Sequence, residues 1–268
     1  HLTVIQATLL GIVQGLTEFL PVSSSGHLVL AHYFLGWGDS LELWVDIATN
    51  TGTLLAVLVY LRRDVGAAVT GFARGLGSAE ARQEPGWHLA LLVLAGSVPT
   101  VILALLLKPV FERLNAPLPV AIALAVTGLI LWFAPREGGK HAVRKVTFLD
   151  ALVAGVAQGL AVVPGISRSG STISALLWRG VDKDLAPRLS FLLYLVVSFG
   201  VAVVGAKDVL AADIELAPLA AMLVSSFVVG YLALRVVFAL LRRGRFRVFS
   251  PYLWALSAFT LVYLAFAG

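Results

Sequence analysis

The chain has 268 residues, 59% of them hydrophobic and only 13% charged, with a mean hydropathy of +0.92. A soluble domain carries about a quarter charged residues, so a soluble enzyme is excluded and an integral membrane protein is expected. The lack of Cys rules out disulfides, thiolate metal sites and Cys nucleophiles, and a net charge of +5 is accounted for without nucleic acid if Lys and Arg line one side of a bilayer.

Taken from the N-terminus, Thr3–Leu20 is a long apolar segment that runs into Pro21-Val22-Ser23-Ser24-Ser25-Gly26-His27, and the apolar run after it, Leu28–Trp37, is too short to span. Neither a basic n-region nor a cleavage site precedes it, so no cleavable signal peptide is expected, and the start at His1 reads as a trimmed natural start. Spans are expected at Leu43–Leu61, His88–Leu107 and Pro119–Ala134. The loop Arg62–Trp87 between the first two is basic and Gly/Ala-rich, and reads as an amphipathic tether along the membrane surface. Leu149–Val163 then runs into Pro164-Gly165-Ile166-Ser167-Arg168-Ser169-Gly170-Ser171-Thr172, followed by a short helix to about Trp178. Three more spans are expected at Arg188–Ala206, Pro218–Val237 and Pro251–Ala267.

The two interrupted segments read as re-entrant hairpins, because irregular backbone at membrane depth is tolerated only inside protein or beside a wet cavity. They also repeat one another at a single offset of 144 residues. Ala7, Gly11, Gln14, Gly15-Leu16, Ser23, Ser25, Gly26, Ala31 and Gly36 match Ala151, Gly155, Gln158, Gly159-Leu160, Ser167, Ser169, Gly170, Ala175 and Gly180. The expected fold is therefore an all-α membrane domain of two repeats, residues 1–134 and 148–268, each a hairpin plus three spans. Three spans carry the chain across the bilayer, so the second repeat enters from the opposite face, an inverted-topology arrangement. In this topology 16 Lys and Arg fall on one face and 3 on the other. The rich face is assigned to the cytoplasm, which puts both termini outside.

Glu18 and Arg168 are read as the charges that lie inside apolar segments, where ionisable groups are costly and by default mark function; a structural Glu18–Arg168 salt bridge is the plainer alternative. Gln14 and Glu18 are four residues apart and share a helix face. With Ser23, Ser24, Ser25 and His27 they supply a carboxylate, hydroxyls and an imidazole within one tip. The second tip offers Arg168, four hydroxyls (Ser167, Ser169, Ser171, Thr172) and backbone N–H groups at a helix start, a phosphate cradle without P-loop spacing. Inverted repeats bring such tips together near the midplane, which points to phosphoryl chemistry on a lipid-borne substrate.

At these motifs, and over nearly its whole length, the sequence resembles the undecaprenyl-diphosphate phosphatase family, the bacitracin-resistance proteins of bacteria. The marks are Gln14 to His27 and Pro164 to Thr172, with Ser190-Phe191-Leu192-Leu193 as a weaker third. The resemblance implies a bacterial inner-membrane enzyme that hydrolyses undecaprenyl diphosphate to the undecaprenyl phosphate carrier of peptidoglycan synthesis. It implies a divalent cation, Mg²⁺ or Ca²⁺, and leaves a homodimer open. By the family motifs Gln14, Ser23, Ser167, Arg168, Ser169 and Thr172 bind substrate, Glu18 holds metal or acts as base, and Ser24, His27, Glu18 and Arg168 are catalytic. Ser24 is the expected nucleophile, being the position where the second repeat has Arg168, with His27 or Glu18 taking its proton; activation of a water by either group is the rival. Ser25, matching Ser169, is expected to cap the helix that follows. Two positions depart from the family: Gln14 stands where many members have Glu, and Val196 where many have Pro.

Type 2 phosphatidic acid phosphatases share a Ser-Gly-His motif, present here as Ser25-Gly26-His27. Their Lys-containing upstream motif is absent, since the first Lys is Lys108, and Ser174 stands where their second His belongs. A lipid-phosphate transporter of inverted-repeat design is the non-enzymatic alternative, and it has no need of a Ser/His/Glu cluster.

Overall fold

A computed structural model describes residues 3–35, 43–136, 145–211 and 215–267. Gly36 and Trp37 at the end of the first hairpin, and Lys140 and Arg144 in a loop counted as cytoplasmic, lie outside the described residues. The rest is helical: α1 (Val4–Phe19), α2 (Ser24–Leu35), α3 (Leu43–Tyr60), α4 (Arg62–Gly77), α5 (Pro85–Arg113), α6 (Pro117–Phe133), α7 (Phe148–Leu160), α8 (Arg168–Trp178), α9 (Leu185–Ala211), α10 (Leu216–Arg242) and α11 (Ser250–Ala267).

Four helical stretches are long and apolar enough to cross a bilayer, namely Pro85–Phe111, Leu185–Lys207, Leu216–Arg242 and Phe246–Phe266. The other two expected spans fold as the shorter apolar helices α3 and α6. Both keep Leu or Val on the outer surface, as Leu55, Leu58 and Val59 on α3 and Val126 and Leu129 on α6. Such apolar exteriors suit lipid rather than water. Most of the segment expected as the Arg62–Trp87 loop is instead helix α4. It lies on the start of α5, with Phe72 stacked on Trp87 at 5.5 Å between ring centres.

Helices α1 and α7 begin and pack alike. Thr3 caps α1 and Thr147 caps α7, each in a reciprocal box with the residue three further on, Gln6 or Asp150. Each helix carries a Gly-x-x-x-Gly face. Gly11 and Gly15 lie against α10, where a Cβ on Gly15 would come within 2.8 Å of the Gly230 amide nitrogen. Gly155 and Gly159 lie against α5, where a Cβ on Gly155 would come within 1.9 Å of the Gly96 carbonyl. In lipid, helices associate through van der Waals contact and hydrogen bonds, and small residues permit the necessary approach. Thr100 of α5 uses that approach, its hydroxyl donating to the Gly155 carbonyl at 2.8 Å. Helix α3 fits between α9 and α10, and α6 packs on α11. The helices α1 and α7, each breaking into a short partner helix, are thus clamped by long helices distant in sequence. That clamping brings their two breaks together.

Candidate active site

The first break is a sharp one. Helix α1 ends at Phe19, and Ser23 adopts φ of 69°, a left-handed conformation that costs a residue with a Cβ about 1–3 kcal/mol. That turn puts the Ser23 hydroxyl where it accepts from the amides of Gly26 at 3.3 Å and of Gly165 at 3.1 Å, so one side chain caps α2 and ties the first tip to the second. Contact at this seam is close: a Cβ on Gly26 would lie 2.9 Å from the Gly165 Cα. In the second tip Ser167 plays the matching part, accepting from the Gly170 amide at 3.1 Å to cap α8. The caps are therefore Ser23 and Ser167. Ser25, expected to cap α2, and Ser169, expected to bind substrate, stand 3.4 Å from these caps through their hydroxyls; the capping oxygen has to precede the first helical turn, and both lie inside it.

Between the tips sits Glu18, buried, with one oxygen toward each side. Its Oε1 pairs with the Arg168 guanidinium. Its Oε2 accepts from the Ser24 hydroxyl at 2.6 Å and from Gln14 Nε2 at 3.0 Å. Arg168 also donates to Ser198 at 3.4 Å, and its guanidinium lies 4.3 Å over the Tyr194 ring. Glu18, Arg168, Ser24 and Gln14 are thus brought together in one cluster, and the salt bridge weighed as an alternative forms as part of it. Ser24 and Arg168 each open a short helix, α2 and α8, so both helix N-termini face the cluster with amides that precede the first helical hydrogen bonds.

The other expected residues are placed differently. His27 has no hydrogen bond to Ser24; its Nδ1 lies 2.8 Å from the Ser23 carbonyl and its Nε2 2.7 Å from the Tyr252 hydroxyl, with the two rings stacked. The carbonyl can only accept, so Nδ1 carries the proton and Nε2 accepts from tyrosine in the neutral ring. Ser167 and Thr172 are fully buried. The Ser167 amide donates to Thr127 at 3.1 Å, and the Thr172 hydroxyl bonds Ser190 and the Arg168 carbonyl. These two hold the loop that presents Arg168.

Several residues enter that were not singled out from the sequence. Asn50 accepts from Gln14 at 3.2 Å and donates to the Asp46 carboxylate at 2.9 Å, extending the polar chain along α3. Asp46 and Asp150 are charges inside apolar segments, so Glu18 and Arg168 are not alone there; Asp150 pairs with Arg179 at 2.7 Å. Asp46 was detectable as a carboxylate within an expected span. Tyr194, Ser198 and Tyr252 carried no such signal.

A hard cation takes oxygen ligands, and Mg²⁺ is commonly held by one or two carboxylates with phosphate and water completing the shell. Among the described residues no group of three or more His, Asp or Glu forms a ready cage. Gln14 Oε1, however, is buried without a hydrogen-bond partner among the described residues, while the Nε2 of the same amide is the atom that faces Glu18. An amide oxygen and a carboxylate fit a cation whose remaining ligands come from substrate.

Residues 7–259 match the family described as Bacitracin resistance protein BacA. The chain is 60% identical over 264 residues to an undecaprenyl-diphosphatase of Acaryochloris marina, covering 98% of this chain and 99% of that protein. It is 44% identical to one of Desulfosudis oleivorans, covering 96% and 97%, and 40% identical to one of Carboxydothermus hydrogenoformans, covering 98% of each. The chain belongs to the bacitracin-resistance (BacA) family. Replacing Arg168 by Lys keeps a positive charge but loses the fork that reaches Glu18 and Ser198 together. Turnover of a lipid diphosphate by the purified Arg168→Lys protein is expected to fall at least about 100-fold; near-normal phosphate release would remove the fork from the mechanism.

Proposed function

We propose that this chain is a membrane-bound undecaprenyl-diphosphatase, converting undecaprenyl diphosphate to undecaprenyl phosphate and inorganic phosphate. Its place is the recycling of the lipid carrier for the cell wall, the step on which bacitracin resistance in this family bears. The observation that carries the chemistry is the hydrogen bond of Ser24 to Glu18, a hydroxyl held at 2.6 Å from a carboxylate beside an arginine. A phosphatase needs that set; a carrier of lipid phosphates does not.

The terminal phosphate enters between the two helix N-termini. Arg168, with the first amides of α8 and Ser169 nearby, takes its non-bridging oxygens, while Ser167 and Thr172 keep the loop in place. Gln14 and Ser23 complete the pocket wall, Ser23 through the strained turn that aims Ser24. Ser24 Oγ attacks the terminal phosphorus as its proton passes to Glu18 Oε2, and the bond to the bridging oxygen breaks, releasing undecaprenyl phosphate. Water then attacks the phosphoserine, its protons going to the released inorganic phosphate, while the proton held on Glu18 Oε2 returns to Ser24 Oγ, which leaves as the hydroxyl. Proximity favours Glu18 over His27 as the first acceptor, since His27 is committed to Ser23 and Tyr252. A divalent cation, Mg²⁺ or Ca²⁺, would be held by Glu18 and Gln14 Oε1 and would neutralise charge on the diphosphate.

The fold is read as two inverted repeats with six spans and two re-entrant hairpins, in a bacterial inner membrane, both termini outside and the site open to the outer side. The distribution of Lys and Arg supports the orientation, and the matched caps and glycine faces of α1 and α7 support the repeat.

Rapid quench of the wild-type protein with labelled diphosphate is expected to trap a phosphoserine at Ser24, and Ser24→Ala to abolish both label and turnover. Substantial turnover by that variant with no trapped intermediate would leave direct attack by water. Excess EDTA should stop phosphate release and added Mg²⁺ or Ca²⁺ restore it; unchanged activity in EDTA would take the metal out of the reaction. Single Cys substitution is clean in a chain without native Cys. A Cys at position 74 should resist impermeant thiol reagents applied from outside, and labelling there would reverse the orientation.

A further inference from the structure

A second polar cavity lies away from the active site. Its volume is about 290 Å³, and it opens where α3 gives way to α4, beside the start of α9 and the end of α10. Four guanidiniums line it, those of Arg62, Arg63, Arg188 and Arg242, against one lining carboxylate, Asp64. Tyr60 and Phe238 form its apolar floor, their ring centres 5.1 Å apart. Ten residues of helix separate Tyr60 from Asn50, and ten separate Arg188 from Ser198, so the cavity is about 15 Å along α3 and α9 from the active-site cluster.

Two of the four arginines are in ion pairs among the described residues and two are not. Asp64 bonds Arg188 at 3.2 Å, and Arg242 reaches out to Asp184 at 2.8 Å. Arg62 donates only to the Val59 carbonyl at 3.3 Å, and Arg63 has no ion-pair partner among the described residues. Plain topology signalling needs arginines near helix ends, but it does not need four of them to converge on a concave surface with an aromatic floor. Guanidinium forks match phosphate oxygens. Basic pockets between spanning helices at a membrane surface take phosphate head groups. Aromatic side chains at the base suit the glycerol and first methylenes of a lipid better than a fully hydrated ion.

We propose that this cavity is a second phosphate-binding site, separate from the catalytic one, whose ligand is the phosphate of an anionic lipid head group. The proposal needs only that the chain sits in a membrane, so it stands or falls apart from the reaction at Ser24. Native mass spectrometry of the full-length protein released from nanodiscs of phosphatidylcholine with phosphatidylglycerol is expected to show retained phosphatidylglycerol. The double variant Arg63→Gln, Arg242→Gln should lower that retention at least about tenfold, with turnover at saturating substrate unchanged. The control Arg243→Gln, Arg245→Gln removes the same charge from exposed neighbours that do not line the cavity, and it should retain lipid as wild type does. Equal loss in the control would reduce the site to general surface charge and overturn the proposal, as would equal retention in all three proteins. In detergent without lipid, a thermal shift with inorganic phosphate that only the Arg63/Arg242 variant loses, alongside unaltered lipid retention, would make free phosphate the ligand and refute the lipid assignment.

Discussion

A carboxylate and a guanidinium inside an apolar helix bundle are each untenable alone. The Glu18–Arg168 pair is therefore the constraint around which the rest of the molecule is arranged. Glu18 is at the end of α1 and Arg168 at the start of α8, so the pair forms only if both helical breaks meet. Once formed it is extensively supported, by Gln14 and Ser24 on the carboxylate and by Ser198 and the Tyr194 ring on the guanidinium. Removing one partner from such a pair leaves an uncompensated buried charge and typically costs about 3–5 kcal/mol. Replacing both with apolar residues could stabilise the bundle, so stability does not explain why a charged pair occupies this position. Binding an anion is the use that the proposed reaction gives it.

The meeting of the breaks is produced by packing that involves no charge. Gly11 and Gly15 let α1 lie almost backbone to backbone on α10, and Gly155 and Gly159 do the same for α7 on α5. With the helix axes so close, the segments beyond Phe19 and Leu160 have little freedom, and the seam at Gly26 and Gly165 closes without a side chain between them. Ser23 then spans the seam. Its unfavourable φ persists because three hydrogen bonds act on one residue: two amides, of Gly26 and Gly165, on its hydroxyl, and the His27 ring on its own carbonyl. Strain of this kind is sustained only where the surroundings over-determine it, and here it sets the direction of the adjacent Ser24.

Much of this was legible beforehand. Polar tips inside apolar segments stand out by contrast, so Gln14, Glu18, Ser24 and Arg168 could be named from the chain alone, and the 144-residue offset indicated that the two tips belong together. The same offset matched Gly11 and Gly15 with Gly155 and Gly159, yet as letters these were evidence of repetition; that they are contact faces follows only once α10 and α5 lie against them. Asn50, Tyr194, Ser198 and Tyr252 were not legible, because a single polar residue in a span has no local signature and acquires a role through a partner far away in sequence. His27 shows the converse. Its neighbours in the chain made it a natural base for Ser24, but helical geometry turns its ring back onto Ser23 and out to α11. Helix α4 was obscured by its poor hydropathy, since a surface helix of Gly, Ala and Arg has the composition of a loop.

The arrangement around Glu18 also bears on the proposed nucleophile. The Arg168 guanidinium is engaged by one oxygen of Glu18, and the Ser24 hydroxyl donates to the other. These two contacts hold Arg168 and Ser24 on opposite oxygens of one carboxylate. A diphosphate arriving between the two helix N-termini competes for the same guanidinium with more negative charge and a matching fork of oxygens. In the proposed reaction the Glu18–Arg168 pair is the contact that a bound phosphate would divide, and the Ser24–Glu18 bond is the one it would leave in place.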